Sequence, residues 1–119
     1  MVRSLGAEVV DWTVANGGYL SLDDFSGYEA QIVPPISIEY SDEVTVYQCP
    51  PNSQGITMLL GLNILKGIDF SGRNIDDPDV VHTQIEALKL AFADRYAFIG
   101  DPARVEIPLE DLLSDSYAD

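Results

Sequence analysis

The chain has 119 residues, 46% of them hydrophobic and 22% charged, a balance that fits an ordered globular segment of one-domain size and excludes a disordered tail. Its 20 Asp and Glu against 6 Lys and Arg give a formal net charge of -14, a field that repels nucleic-acid backbones and anionic lipid surfaces. The single cysteine, Cys49, excludes an internal disulfide and a multi-cysteine zinc site, and no run approaches the ~20 apolar residues of a membrane span.

The acidity reads first as a solvated, colloidally stable surface; the scarcity of lysine, only Lys66 and Lys89, makes adaptation to high salt a second reading. No signal peptide opens the chain, and the redox compartment stays open. Residues Ser4 to Ala15 place Leu5, Val9, Trp12 and Val10 on a helical stripe, with Asn16-Gly17-Gly18 as the stop. Ser21 followed by Asp24 has the form of a capping box for a single helical turn that Gly27 ends. From Tyr28 the period changes: "YEAQIV", "ISIEY" and "VTVYQC" predict strands, the last two joined at Ser41-Asp42-Glu43 as a hairpin. In it Ile36, Ile38 and Tyr40 share a face.

"CPPNSQG", Cys49 to Gly55, is a rigid corner that feeds a helix over Ile56–Lys66 with almost no polar side; Gly67 closes it. A polar connector follows, with Asp76 or Asp77 as the cap and Pro78 in the first turn of a long helix over Asp79–Phe98. Val81, Ile85, Leu88, Phe92 and Tyr96 form its apolar stripe, and Ala87, Ala91 and Ala93 allow close approach. Gly100-Asp101-Pro102 stops this helix, Val105–Ile107 reads as strand, and Pro108 opens a short final helix at its first position. The fold class is α+β: an antiparallel hairpin with three to four helices, in one continuous segment 1–119 that makes an incomplete domain.

No constellation here makes a convincing active site. His82 and Glu86 lie at i and i+4, a spacing that can present two metal ligands, but Glu86 is equally placed to pair with Lys89 and no second histidine exists. Asp94 and Arg95 are adjacent on the helix and point apart, so each pairs elsewhere, in a structural ion pair or a cap. Ser53 ahead of a helix reads as an N-cap, with anion binding at Ser53-Gln54-Gly55 as the minor alternative; the glycine spacing and lysine of a phosphate loop are missing. Cys49 has no cationic neighbour in sequence. Catalytic, substrate-binding and metal sites are therefore assigned to none of these residues, and no cofactor is implied.

The order "GGYLSLDDFSGYEA", "PPISIEY", "VTVYQCPPNSQG", "LNIL", "EALKLAFADRYAFIGDP" and "VEIPLEDLLSDSYA" resembles the gamma-glutamyltranspeptidase family, over nearly the whole chain and specifically in the later part of its large subunit. The resemblance implies an N-terminal nucleophile hydrolase with a stacked αββα core, of which this chain is a part, made as a precursor that cleaves itself ahead of a threonine. That threonine attacks the gamma-glutamyl amide of glutathione or a related compound, its own amino group acting as base, and the glutamyl group passes to water or to an amino acid or peptide acceptor. It begins the small subunit, downstream of the family's tyrosine-alanine motif matched by Tyr117-Ala118. The arginine that holds the substrate's alpha-carboxylate lies upstream of the matched region, and neither Arg3 nor Arg95 takes that role. The family's catalytic residues thus have no counterparts here, and the isolated segment is expected to be inactive.

The partners so implied are the rest of the large subunit and the small subunit, and helix 56–66 is expected to leave contiguous apolar surface exposed or paired with another copy in a homo-oligomer. Family members are often periplasmic or extracellular, with a cytoplasmic location as the alternative. One departure stands out: where the family's corner runs from serine into two glycines, this chain has Gln54 and then a single Gly55. It keeps two alternatives beside a glutathione-processing enzyme: a divergent acylase with another substrate, and a scaffold that has lost self-cleavage.

Overall fold

The computed structural model describes residues 2–119, with side chains from residue 5 onward; Arg3's side chain lies outside the described residues. The segment divides into two compact units, Met1–Ile32 and Val33–Asp119.

The first unit holds α1 (Val2–Ala15) and α2 (Leu22–Ser26). The amide of Asn16 donates to Trp12 O at 2.7 Å, and Gly17 takes a left-handed φ of 80°, which ends α1 at the Asn-Gly-Gly signal. Ser21 N–H donates to Asp24 Oδ2 at 2.8 Å while Asp24 N–H donates to Ser21 Oγ at 3.4 Å, the expected reciprocal box. The α1 stripe is a correction: Leu5, Val9 and Trp12 stay exposed, and α1 meets α2 at the small Gly6, which lies against the ring of Phe25. The expected strand over Tyr28–Val33 is also absent, and the segment is irregular. A strand needs a partner ladder; here Ile32 is fully exposed and Pro34-Pro35 follows with no N–H to offer.

The second unit is built around one helix. Strands β1 (Ile36–Ser41) and β2 (Val44–Gln48) form the antiparallel hairpin, with Ile38 opposite Val46 and a register irregularity between Glu39 and Ser41. Of the three residues expected on one face, Ile38 is buried, Ile36 half-buried and Tyr40 exposed at the turn end. Helix α3 (Gly55–Lys66) packs on both strands and along α4 (Pro78–Phe98), and its C-terminal half meets the last turns of the chain, α5 (Leu109–Leu112) and α6 (Asp115–Ala118). Asp77 caps α4 by accepting from Asp79 N–H at 3.0 Å, with Pro78 at the first position.

Six helices lie among the described residues, more than the three to four expected, because the short α2 and two separate turns in the C-terminal stretch stand beside the three longer helices. Pro108 precedes the first of these C-terminal turns as its cap, and Val105–Ile107 forms no strand: Val105 lies at a bend with its N–H donating to Asp101 O at 3.0 Å, and Pro108 removes a ladder donor next to it.

The core sits where Ile56 and Leu60 of α3 meet Ala91 of α4 and Leu112 of α5, flanked by Ile36, Ile99, Ile107, Leu109 and Leu113. Helix α3 therefore finds its partners inside this chain, and the expectation of an exposed apolar helix 56–66 is corrected: Ile56 and Leu59 are fully buried, and only Met58 of its large apolar side chains stands out to solvent. The exposed apolar surface belongs to α4, where Ile85, Leu88, Leu90, Phe92 and Tyr96 face outward while Ala87 and Ala91 are buried.

Candidate functional site

Two places concentrate polar interactions that the sequence does not show as contacts. The first is the corner between β2 and α3. Ser53 Oγ donates to Cys49 O at 2.7 Å and accepts from Gly55 N–H at 3.2 Å, so one hydroxyl ties the strand end to the helix start. Ser53 is thus a corner brace; the N-cap position belongs to Gln54, whose side chain makes no cap bond. Gln54 has φ -75° and ψ -4°, ordinary right-handed backbone, so glutamine stands there without strain. Gly55 is the residue the corner requires, because a Cβ would lie 2.7 Å from both Cys49 O and Gln48 Cβ. Cys49 is exposed and lines an open recess of about 550 Å³ with Tyr47, Pro50, Pro51, Asn52 and Ser53.

The second place is where α3 and α4 hold the turns at 113–118. Asn63, buried in a mostly apolar helix, donates its amide to Leu113 O at 3.3 Å and Ser114 O at 3.1 Å. Leu113 O lies where α5 ends, and Ser114 O, the cap carbonyl of α6, also accepts from the N–H groups of Tyr117 and Ala118 at 3.3 Å. The remaining oxygen of Asn63 has no hydrogen-bond partner among the described residues. One turn on, the ammonium of Lys66 pairs with Asp115 and also donates to Glu39 O of β1 at 3.2 Å. From α4, Asp94 accepts the Tyr117 hydroxyl at 3.0 Å, a bond that raises the phenol pKa because it favours the protonated form. A recess of about 310 Å³ lies between these elements, lined by Leu60, Asn63, Leu90, Asp94 and Tyr117 among others.

The remaining candidates resolve as structural groups. Glu86 accepts from Lys89 at 2.8 and 3.0 Å, which lowers its pKa, while His82 is exposed on the same helix. Among the described residues no group of three or more His, Cys, Asp or Glu side chains gathers to hold a metal. Asp94 and Arg95 do pair elsewhere, though not in the ion pair or cap expected: Asp94 bonds a tyrosine, and the Arg95 guanidinium lies 5.4 Å from the centroid of the Tyr96 ring. Asn63 was missed as a functional candidate; its signal was a lone amide in an apolar helix, since a buried amide demands partners.

Comparison with known proteins places the chain in a family. Residues 3–119 match the family model described as Gamma-glutamyltranspeptidase. The chain is 43% identical over 114 residues to the glutathione hydrolase-like YwrD proenzyme of Bacillus subtilis, covering 96% of this chain and 22% of that protein. It is 38% identical over 115 residues to the acylase ACY 1 proenzyme of a Pseudomonas species (strain V22), covering 97% of this chain and 21% of that one. The structure superposes on a gamma-glutamyltranspeptidase from Pseudomonas nitroreducens complexed with L-DON with a TM-score of 0.83, at 26% identity, covering 96% of this chain and 35% of that one. The chain thus spans about a fifth of the length of the curated relatives it matches.

Proposed function

The chain belongs to the gamma-glutamyltranspeptidase family, and on that premise we propose that it is the later part of the large subunit of a self-cleaving enzyme that hydrolyses or transfers the gamma-glutamyl group of glutathione and related amides. The observation that carries the reading is the match of family model and fold over nearly the whole chain, with relatives whose names mark them as proenzymes. In this reading the second unit is a rigid support. The Ser53 brace and the close approach at Gly55 deliver α3 into the core, and α3 then holds the hairpin on one side and the turns at 113–118 on the other. The nucleophilic threonine follows downstream of Tyr117-Ala118 in the parent protein; it takes the acyl group from the amide donor, releasing the amine, and the acyl-enzyme passes that group to water or to an amine acceptor.

A second reading keeps the fold and changes the acyl group, and the 38% identity to an acylase proenzyme favours it as the alternative. The glutamine at position 54 does not decide between them, because its backbone is one that any residue adopts. The test is to express the parent reading frame through the downstream region, record intact masses over time, and assay gamma-glutamyl amides beside other acyl amides. Two fragments, the smaller beginning at threonine, with turnover of gamma-glutamyl amides, is the expected result. Splitting with turnover of other acyl amides alone selects the acylase, and a single uncleaved mass refutes self-cleavage.

A further inference from the structure

Helices α5 and α6 have four residues each, far short of the ~12–15 that an isolated helix needs to hold itself in water. Their position must come from tertiary bonds, and α6 has no buried residue to supply packing. What it has is three polar tethers from two different helices. The Asn63 amide donates to the carbonyls of Leu113 and Ser114, immediately before the first residue of α6, where Ser114 O also accepts from the N–H groups of Tyr117 and Ala118. The Lys66 ammonium holds Asp115 and at the same time the β1 carbonyl of Glu39, which ties the turn to the hairpin. The Asp94 carboxylate holds the Tyr117 hydroxyl at 3.0 Å. Asn63 and Lys66 stand three residues apart on α3, hence on one face, and Asp94 approaches from α4.

Resting on the self-cleaving reading above, we propose that Asn63, Lys66 and Asp94 are positioning residues for processing of the precursor: they fix the point from which the chain leaves the folded body toward its cleavage site. The net reaction is hydrolysis of one peptide bond, water supplying the hydroxyl of the new carboxyl end and a proton of the new amine. None of the three residues touches the reacting atoms in this scheme. Their effect is on probability: a segment that starts from a fixed anchor visits the reactive geometry more often than one whose last two turns have melted, because the search begins with fewer conformations. Asn63 is nearly fully buried, so its two bonds are shielded from water; the Lys66 pair is half-shielded, and the Tyr117 bond is open to solvent. The expected order of effect follows that shielding.

The experiment uses the full-length parent and follows precursor loss by intact mass, with Asn63→Ala, Lys66→Met and Tyr117→Phe as the variants. Processing should slow by about tenfold for Asn63→Ala, the factor expected when the loss of a hydrogen bond to a buried group is fully expressed in the barrier, and by less for the other two. The mature enzyme recovered from each variant should keep kcat and KM within about twofold of wild type, a split that general damage to the fold would not produce. Lys66→Glu combined with Asp115→Lys should recover at least half of the rate that Lys66→Glu loses. If Asn63→Ala does not fold, the Lys66 charge swap, at a partly shielded position, and Tyr117→Phe, at an exposed one, carry the test. Wild-type processing rates in Lys66→Met and Tyr117→Phe, or a charge swap that restores nothing, would overturn the proposal. A wild-type parent that never splits sinks it together with self-cleavage, whereas a parent that splits but turns over only other amides removes the gamma-glutamyl reading and leaves this one standing.

Discussion

Helices α3 and α4 lie side by side, and they use their apolar residues in opposite ways. Helix α3 is short and buries residues around most of its circumference, from Ile56 and Leu59 to Gly61 and Asn63. Helix α4 is longer and buries only Val80, Ala87 and Ala91, while its large side chains face outward, Leu90 at 58% and Tyr96 at 77% exposure. The contact between the two runs along small residues: a Cβ on Gly61 would lie 3.4 Å from Leu88 and 3.9 Å from the Ala91 methyl. Small residues let the axes approach, and the large ones are left to the flanks. The buried alanines of α4 therefore mark its contact with α3, joined by the end of Leu88, while the large side chains as a class do not.

The largest test of this difference is truncation of one buried and one outward leucine. Leu59→Ala should destabilise the chain by about 2–5 kcal/mol, read from the urea midpoint, because the side chain is fully enclosed and leaves a cavity. Leu90→Ser should stay within about 0.5 kcal/mol, as expected for a surface change. Comparable losses at both positions would mean that α4 buries its outer face in a self-associated form, and sedimentation at two concentrations would show it.

Glycine substitutions sharpen the comparison at the two ends of α3. Gly55→Ala should cost about 1–3 kcal/mol, since the new methyl meets a backbone carbonyl that cannot swing away. Gly61→Ala meets only the mobile end of Leu88 at 3.4 Å, and alanine gains up to about 1 kcal/mol in helix propensity, so its net change should be under about 1 kcal/mol in either direction. Equal losses at both would contradict the close approach at the corner.

These contrasts explain how much was legible in the sequence. Most caps and stops were, because they are settled within three or four residues: Ser21 with Asp24, Asp77 before Pro78, and Gly17 after Asn16 stand as expected, whereas Ser53 and Pro108 each lie one position from theirs. The hairpin was legible because its two runs are adjacent, and the family was legible because many local motifs keep their order. Tyr28–Val33 and Val105–Ile107 carried strand composition without a partner, and pairing is a property of the fold rather than of the segment. The stripe on α4 was visible as a stripe, yet periodicity reports which face is apolar and not whether these residues supply its cover. The candidate site fared worst. Asn63 reaches across some fifty positions to the carbonyls of Leu113 and Ser114, and neither that nor the Lys66 and Asp94 contacts has a local signature.

The smallest expected effect concerns charge on the two helices. Lys66 at the end of α3 is partly shielded and bridges separate elements, whereas Lys89 on α4 reaches back three residues to Glu86 in open solvent. The Lys89 hydrogen bond is the leading cause that holds the Glu86 pKa below its ordinary 4.5, with nearby positive charge adding to it. Folded Glu86 therefore binds its proton more weakly than the unfolded chain does; the contribution of the pair is complete above pH 4.5 and is lost as pH falls through the lowered value. In an NMR titration, Lys89→Met should move the Glu86 midpoint up toward 4.5 while leaving amide exchange along α3 unchanged. A Glu86 midpoint that ignores Lys89 would assign the shift to the helix itself, and protection lost along α3 would show that α4's outer face is coupled to the core after all.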